Sequence, residues 1–558
     1  MDDFEGVLEG QKIAYFSMEI GFNNIIPTYS GGLGVLAGDT IRASADLSVP
    51  LVGVTLVSKK GYFLQELDLN GNQIEKPDDW NPQDFMKQLS TQVTVQIEGR
   101  DVQIKAWFYE HVSPTGFKIP IILLDTDIDE NLPVDREITH YLYGGDQVYR
   151  LKQEIVLGMG GTKMLEALGF SVRKYHMNEG HSGLLTIELL KKNNMDAKVV
   201  KHLCVFTTHT PVDAGHDKFS YDIVDKLIVD EETRMLLRKY GGHDKLNMTL
   251  LGLNLSNFIN GVAKRHKEIS AQMFPGYKIE AITNGVHSYT WTCECFRKLY
   301  DKYIPGWANE PELLVRTHGI LDSEIWETHM SAKRILIDYV NDRTDIGMDY
   351  ESLTLGFARR ATGYKRPKFI FHDIDRLRRI NARGKIQIIF AGKAHPKDIE
   401  GKELIRDIHR IIDELKDDIK IVYLEDYDMD LGSKMTSGVD VWLNTPQRPL
   451  EASGTSGMKA AHNGVINFSV LAGWWIEGCI EGVTGWSIGP HPSENWSHEQ
   501  VKKLEHDDFY NKLEYVIVPG YYHSRNRWIR IMNNSIGMIA YYFNSHRVVH
   551  QYVTNAYL

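Results

Sequence analysis

The feature that most constrains this chain is a recurrent alternation of short apolar, β-rich runs with amphipathic stretches. Early runs lie at residues 12–16, 49–57 and 199–208. A second series lies at residues 353–358, 386–391, 419–424 and 439–443, with a helical pattern at 404–415. Such alternation is typical of parallel sheets with crossover helices. It predicts an α/β fold with two doubly wound units.

The length of the chain predicts more than one domain. A chain of 558 residues exceeds what one hydrophobic core usually organises, so we expect two or three domains with a cleft between them. We place the first domain at residues 1–285 and the second at 286–527, with the seam near Asn284-Gly285. The amphipathic stretch Trp528 to Tyr542 predicts that residues 528–558 form a C-terminal helix that returns to the first domain.

Composition narrows the functional classes. A formal charge of −11 argues against a nucleic-acid surface, which would normally carry a basic stripe. The four cysteines are too few and too irregularly spaced for a disulfide framework, so reduced thiols are expected. The acidic N-terminus has no apolar core segment, and no run of about eighteen apolar residues occurs. These features predict a cytoplasmic protein that binds neither nucleic acid nor membranes.

The segment from Pro449 to Lys459 is the most informative single motif. It is a run of small and hydroxylic residues that leads into a helical pattern at residues 458–463. Small residues let backbone N–H groups approach an anion at a helix N-terminus, so the segment is a candidate phosphate cradle. An ordinary helix cap followed by a solvated lysine is the alternative interpretation.

Two further segments favour an anion site. In Gly356 to Pro367 a predicted strand runs directly into Arg359, Arg360 and Lys365, and cations at the carboxyl end of a strand suit a bound phosphate. The alternative is a solvated run of charges. The glycine motif of residues 29–34 lies between a predicted strand and a helical pattern at 35–47, so its amides can also face an anion.

Together these segments resemble the glycogen and α-glucan phosphorylases. The segment 451–459 is similar to their pyridoxal-phosphate attachment segment, and 359–365 to their phosphate segment. Residues 282–285 are similar to their Thr-Asn-Gly turn, and 31–34 to their glycine loop. Similarity continues at residues 150–154, 178–181, 208–210 and 391–394, so the resemblance spans about residues 12 to 490.

The resemblance implies a pyridoxal 5'-phosphate site in the second domain. Lys459 would form the Schiff base with the cofactor. The cofactor phosphate would be held by the side chains and amides of Thr455, Ser456 and Arg359. Tyr427 would line the cofactor, and the amides of Gly32 and Leu33 in the first domain would face the phosphates.

The resemblance also implies the substrates and their contacts. They would be an α-1,4-glucan and inorganic phosphate, and the product would be glucose 1-phosphate with retained α configuration. Arg360 and Lys365 would bind the substrate phosphate. Glu451 and Asn284 would hold the glucosyl hydroxyls, and the main-chain carbonyl of His209 would lie near the reacting sugar. The implied architecture is that of GT-B glycosyltransferases, two Rossmann-like domains facing a cleft, and the implied assembly is a homodimer or a higher homo-oligomer.

The chain departs from the family pattern at three positions. Arg359 replaces a lysine, Gly457 replaces an asparagine, and Asp428 stands where animal enzymes have an arginine. The chain is also shorter than the animal enzymes, so their allosteric regulation is not expected here. The adjacent Trp474 and Trp475 are predicted to pack in the interior rather than to stack on sugar rings.

Two other functions share parts of this pattern. A glycogen synthase that uses a nucleotide sugar has the same architecture, but it needs no lysine at the position of Lys459. A non-catalytic glucan-binding protein would lack the cofactor. His181 is interpreted as a hydrogen-bonded partner rather than as a catalyst.

Overall fold

The computed structural model describes residues 8–558, apart from the side chain of Ala214. The acidic N-terminal residues 1–7, on which the expectation about the N-terminus rests, lie outside this range. The chain divides into two compact units. Unit 1 contains the described residues up to Phe63, residues 77–283 and Ser545–Leu558. Unit 2 contains Leu64–Lys76 and Asn284–Asn544.

The strands and helices have the following bounds. The strands are β1 (Lys12–Phe16), β2 (Leu51–Leu56), β3 (Leu64–Leu67), β4 (Gln73–Lys76), β5 (Lys87–Ile97), β6 (Arg100–Val112), β7 (Lys118–Asp125), β8 (Val172–Asn178), β9 (Cys204–Thr207), β10 (Lys218–Ser220), β11 (Lys245–Asn247), β12 (Phe258–Gly261), β13 (Glu280–Ala281), β14 (Leu353–Ala358), β15 (Ile386–Ala391), β16 (Lys420–Leu424), β17 (Val441–Asn444), β18 (Ile466–Val470) and β19 (Gly485–Ile488). The α-helices are α1 (Gly32–Asp46), α2 (Pro133–Arg136), α3 (Gln147–Ile155), α4 (Gly161–Ala167), α5 (Leu185–Lys192), α6 (Ala197–Leu203), α7 (Tyr221–Leu227), α8 (Glu231–Gly241), α9 (Met248–Leu255), α10 (Lys264–Met273), α11 (Ser288–Trp291), α12 (Glu294–Tyr303), α13 (Asp322–Arg343), α14 (Ile374–Arg383), α15 (Ile399–Leu415), α16 (Met429–Gly438), α17 (Ser456–Ala461), α18 (Trp475–Gly478), α19 (His498–Lys512), α20 (Val518–His523), α21 (Arg525–Asn534) and α22 (Ser545–Tyr552).

Unit 1 is built on a sheet with the strand order β13-β12-β9-β8-β1-β2-β7-β6-β5. The strands from β13 to β7 run parallel, and β6 and β5 are antiparallel additions at one edge. The chain order reverses direction between β1 and β8, because β2 and β7 continue to one side and β9, β12 and β13 to the other. This is the doubly wound arrangement that the sequence predicts, although the antiparallel edge was not foreseen.

Unit 2 is built on a parallel sheet with the order β16-β15-β14-β17-β18-β19. In chain order this is 3-2-1-4-5-6, the order of doubly wound dinucleotide-binding folds, and the reversal lies between β14 and β17. Every residue of β14, β15 and β17 is buried. Helices cover both faces of such a sheet, which is why its strands are continuous apolar runs rather than alternating ones.

Most of the predicted elements are confirmed, but one apolar run was misread. The runs at 12–16, 353–358 and 386–391 coincide with β1, β14 and β15. Within 199–208 only Cys204–Thr207 is a strand, because residues 197–203 form α6. The carboxylate of Asp196 accepts hydrogen bonds from the backbone N–H groups of Lys198 and Val199. This N-cap outweighs the β preference of the valines.

The return to unit 1 starts later than residue 528. Trp528 packs against Trp486 and Tyr521, at ring-centroid distances of 5.6 and 5.2 Å, and lies in unit 2. Only Ser545–Leu558 belong to unit 1, where the hydroxyl of Tyr552 lies 3.0 Å from that of Thr207. An amphipathic pattern shows that one helix face is buried, but it does not specify the partner. The predicted seam near Asn284-Gly285 lies at the change from unit 1 to unit 2 after Thr283, whereas the predicted boundary at 527/528 lies well before the change after Asn544.

The structure bears on two expectations from the composition, the absence of membrane-spanning helices and the absence of disulfide bonds. None of the helices among residues 8–558 has both the length and the apolar character that crossing a bilayer requires. The four cysteines all lie within the described residues and form no disulfide, which confirms the prediction of free thiols.

Candidate active site

The carboxyl ends of β14 and β17 bring several predicted residues together in unit 2. In open α/β sheets ligands bind where the strand order reverses, and here that point lies between these two strands. Arg359 directly follows β14, and its guanidinium donates to the side-chain oxygen of Asn444 at the end of β17. Its Nη2 also lies 3.4 Å from the hydroxyl of Ser456, the first residue of α17.

The guanidinium of Arg359 is buried and only partly satisfied. Its side chain is 8% exposed, and its Nε has no hydrogen-bond partner among the described residues. Burial lowers the pKa of Arg359 from its ordinary value, while the carboxylate of Glu451 raises it. A buried donor without a partner is costly, so an anionic ligand at this position would be stabilising.

Glu451 lies between two cations. Its Oε2 is 2.5 Å from Nζ of Lys365 and 4.0 Å from Nη1 of Arg359. The side chains of Glu451 and Lys365 are 8% and 12% exposed. The structure therefore joins a residue predicted to bind phosphate to one predicted to bind sugar hydroxyls, a pairing that the sequence did not reveal.

Lys459 lies on α17 in an enclosed position. It is 8% exposed, and its Nζ lies 3.6 Å from the centroid of the Trp291 ring. This is a cation–π contact. Trp291 was not predicted as a site residue, and its only sequence signal is its place in the irregular stretch after the Thr-Asn-Gly turn.

Two neighbours of Lys459 fix the position of α17. Nδ1 of His462 lies 2.8 Å from the carbonyl oxygen of Met458, and Nε2 lies 2.8 Å from the hydroxyl of Ser288. Burial lowers the pKa of His462 to about 4. The side chain of Asn463 donates to the carbonyl oxygen of Trp291 at 2.8 Å. These contacts hold the lysine and the indole together.

The structure gives a local reason for two of the family departures. The carboxylate of Asp428 accepts from the backbone N–H of Leu431 at 2.7 Å and thus caps α16. A Cβ on Gly457 would lie 2.3 Å from the side-chain oxygen of Asn467 and 2.8 Å from the Trp474 ring, so only glycine fits. Beside Asp428, burial raises the pKa of the Tyr427 hydroxyl to about 12.

The adjacent tryptophans are packing residues. Trp474 and Trp475 are 2% and 0% exposed, and the ring of Trp474 lies 4.9 Å from that of Phe543. This confirms the prediction that they belong to the interior rather than to a sugar-stacking surface.

In unit 1 a buried carboxylate holds the glycine loop. Oε2 of Glu19 accepts from the backbone N–H groups of Ser30 and Gly31, at 2.5 and 3.2 Å. The hydroxyl of Tyr143 donates to Oε1 at 2.9 Å. Gly32 and Leu33 follow as the first residues of α1. Glu19 was not predicted as a functional residue; its signal in the sequence is a carboxylate three residues after the first strand.

His209 lies after β9 in unit 1. Its Nε2 lies 2.6 Å from the side-chain oxygen of Asn178, and its backbone N–H donates to Glu179 at 2.7 Å. Burial lowers its pKa to about 3, so the imidazole is neutral near pH 7. His181 is also buried; its Nε2 lies 3.5 Å from Asp217, and its Nδ1 has no hydrogen-bond partner among the described residues, so its interpretation as a hydrogen-bonded partner stays a prediction.

The remaining predicted residues are placed as follows. Thr455 precedes α17, and Arg360 is exposed beside Arg359. Asn284 is 7% exposed at the start of the main segment of unit 2. Short contacts thus join Arg359, Lys365, Glu451 and Ser456 directly, and Lys459 lies on the helix that Ser456 begins.

Comparisons with known proteins agree on one family. The sequence profile described as "Carbohydrate phosphorylase" matches residues 212–481. The chain is 40% identical to the maltodextrin phosphorylase of Thermococcus litoralis, over 98% of this chain and 70% of that protein. It is 35% identical to a glycogen phosphorylase of Aquifex aeolicus, over 98% of this chain and 86% of that protein. An uncharacterized protein of Methanocaldococcus jannaschii is 32% identical over 98% of this chain and 99% of its own length.

Proposed function

We propose that this chain, which belongs to the carbohydrate phosphorylase family, is an α-1,4-glucan phosphorylase. It would transfer non-reducing-end glucosyl units to inorganic phosphate and release α-D-glucose 1-phosphate, in the breakdown of glycogen, starch or maltodextrin. The observation that carries the proposal is the cluster of Arg359, Lys365 and Glu451 at the reversal point of the unit 2 sheet, beside the helix of Lys459.

The residues around Arg359 fit pyridoxal phosphate, the cofactor that this family generally uses. The unpartnered Nε of Arg359 and the nearby hydroxyl of Ser456 suit an anionic group, and Thr455 is adjacent in the chain. Lys459 would hold the cofactor covalently, and the buried hydroxyl of Tyr427 would line it. When bound, pyridoxal phosphate supplies a phosphate group that exchanges a proton with the substrate phosphate.

The basic residues have an electrostatic task in this reaction. Two phosphates in contact repel each other, and charge-assisted hydrogen bonds from guanidinium and ammonium groups offset that repulsion. We assign the substrate phosphate to Arg360 and Lys365. The amides of Gly32 and Leu33 are proposed to face the phosphates, and the carboxylate of Glu19 keeps the preceding loop amides in a fixed position.

The sugar is proposed to be held by neutral and acidic groups. Glu451 and Asn284 would accept or donate hydrogen bonds at the glucosyl hydroxyls, and the carbonyl oxygen of His209 would lie near the anomeric centre. Glycosidases usually use two carboxyl groups for acid–base work. Here Glu451 is paired with Lys365, which favours a binding role for this carboxylate over proton transfer.

Compartment and assembly remain proposals. Free thiols at all four cysteines suit a reducing compartment, so the cytoplasm is proposed. A homodimer or higher homo-oligomer is proposed from the family resemblance alone.

The direct test is to incubate the purified protein with maltodextrin and inorganic phosphate and to assay glucose 1-phosphate. We expect product that depends on phosphate and a yellow protein that carries pyridoxal phosphate. A parallel reaction with a nucleotide sugar and glucan tests the synthase alternative. Glucan elongation from the nucleotide sugar, without phosphorolysis, would contradict the proposal.

A further inference from the structure

A separate cavity of about 160 Å³ lies in unit 2 on the first turns of α19. None of the residues assigned above to cofactor, phosphate or glucan lines it. Its polar lining consists of Arg366, Gln447, Arg448, His498, Lys502 and Glu505.

The charges of this cavity are unbalanced. Arg366, Arg448 and Lys502 are cationic, and Glu505 is the single carboxylate in the lining. Glu505 is 2% exposed and serves both arginines, at 2.7 Å from Nη1 of Arg366 and 3.2 Å from Nε of Arg448. One carboxylate neutralises one of the three cations, so the cavity keeps an excess of positive charge within a chain whose net charge is −11. Such a local field attracts anions.

Donors in the cavity are left without a well-aligned acceptor. Nη2 of Arg448 is 3.1 Å from Glu505, yet it is buried and has no hydrogen bond of acceptable geometry among the described residues. The two charges attract each other, but the N–H groups of Arg448 Nη2 are not aligned with the Glu505 carboxylate for a hydrogen bond. The ammonium of Lys502 makes no ion pair with a described residue, and its side chain reaches the same cavity.

The arginines are held in place by backbone carbonyl groups. Nε of Arg366 donates to Thr445 at 2.7 Å and Nη2 donates to Pro446 at 3.0 Å. Nη1 of Arg448 donates to Pro490 at 2.8 Å. Guanidinium groups that are already fixed lose little conformational entropy on binding a ligand. The cavity is therefore preorganised on its arginine side.

We propose that this cavity is a second anion site, which binds a small phosphate-bearing ligand. Guanidinium groups with a nearby ammonium match the geometry and charge of a phosphate. The volume is below the ~300–1,000 Å³ typical of sites for drug-sized ligands, so the ligand is inorganic phosphate or a small phosphate monoester rather than a nucleotide or a glucan. The inference does not depend on the proposed function.

Calorimetric titration of the purified holoenzyme with inorganic phosphate, at constant ionic strength, tests the proposal. We expect two classes of site in the unaltered protein. Lys502→Glu should weaken one of them by at least about tenfold, because an attraction becomes a repulsion. Lys503→Glu is the matched control, since it makes the same charge change at an exposed neighbour that does not line the cavity. It should leave both classes unchanged.

The variants separate this proposal from the proposed function. Arg360→Ala should weaken the other class of site, which is the proposed substrate phosphate. If the two Lys→Glu variants behave alike, or if the unaltered protein has a single site that responds to Arg360→Ala only, the cavity is not an anion site. A single site that responds to Lys502→Glu only would keep this inference and overturn the substrate-phosphate assignment. A second titration with glycerol phosphate identifies the ligand: equal affinity at the Lys502 site indicates a monoester, and weaker binding indicates inorganic phosphate.

Discussion

Nζ of Lys365 lies 2.5 Å from the carboxylate of Glu451, so a predicted phosphate ligand and a predicted sugar ligand form one ion pair. Both side chains are nearly buried, and Arg359 approaches the same carboxylate oxygen at 4.0 Å. A phosphate that binds Lys365 must therefore compete with Glu451. The pair links the two proposed substrate sites through one shared contact.

This relationship predicts the effect of Glu451→Gln. The substitution removes the charge that competes for Lys365, so inorganic phosphate should bind at least as tightly as in the unaltered enzyme. The glucan should bind more weakly, because a hydrogen bond to a charged group is worth roughly 1.5–3 kcal/mol, or about ten- to a hundredfold in KM. Separate measurements of KM for phosphate and for maltodextrin check both effects. Weaker phosphate binding would contradict the assigned roles.

Lys459→Ala is expected to abolish cofactor retention and activity together. Without the ε-amine no covalent bond to the cofactor forms, and non-covalent contacts alone must hold it. Absorbance of the purified protein and an assay of glucose 1-phosphate measure the two properties. Lys503→Ala, at an exposed lysine of α19, is the control and should change neither. Full activity of Lys459→Ala without added cofactor would show that the lysine is misassigned.

Arg360→Ala is expected to lower phosphorolysis while cofactor content stays near that of the unaltered enzyme. Loss of one charge-assisted contact costs about 1.5–3 kcal/mol, which corresponds to roughly ten- to a hundredfold. The substitution leaves the contact of Arg359 with Ser456 in place, so this proposed cofactor contact remains. Phosphate affinity and bound cofactor are the two measurements. Normal affinity and turnover would indicate that Arg360 belongs to a solvated charge run.

Gly457→Asn, which restores the residue of the wider family, is expected to destabilise this protein. A side chain at this position collides with Asn467 and with Trp474, and overpacking of a core typically costs about 1–3 kcal/mol. The free energy of unfolding, measured with denaturant, should fall by this amount. Adding Asn467→Ala should recover part of the loss, because it removes the nearest obstacle. An unchanged stability of the single variant would mean that the neighbours move aside freely.

Because of His462, the free energy of unfolding is expected to fall as the pH becomes acidic. Its pKa is about 4 in the folded protein and ordinarily about 6.5, so below pH 6.5 the unfolded chain binds a proton that the folded chain does not. The contribution of neutral His462 to the free energy of unfolding is fully present above pH 6.5 and is lost as the pH falls towards 4. At pH 5 the loss is roughly 2 kcal/mol.

Denaturant unfolding at pH 7.5 and pH 5 measures this dependence. His462→Gln should reduce the difference in stability between the two pH values by about 2 kcal/mol. The exposed His491 provides the control, and His491→Gln should leave the difference unchanged. Equal differences in all three proteins would show that His462 titrates normally in the folded state.

The sequence by itself determined the doubly wound character of both units and the motifs of the site. Buried parallel strands are continuous apolar runs, so β14 and β15 could be located to the residue, and Arg359 could be assigned to a strand end. These features are local in the chain. The strand predicted over 199–208 was partly wrong, although its signals are also local. The Asp196 N-cap favours a helix, and it competes there with the preference of the valines for a strand.

Only the tertiary structure decided which distant groups meet. No sequence periodicity relates the residues that meet in three of these contacts. They are the Lys365–Glu451 ion pair, the Lys459–Trp291 contact and the hydrogen bond from the glycine loop to the Glu19 carboxylate. The chain returns to unit 1 at Ser545 rather than at Trp528, because the apolar face of the helix at Trp528 packs within unit 2. Amphipathic spacing records that a face is buried, whereas the partner of that face depends on the shape and charge of surfaces formed by the rest of the fold.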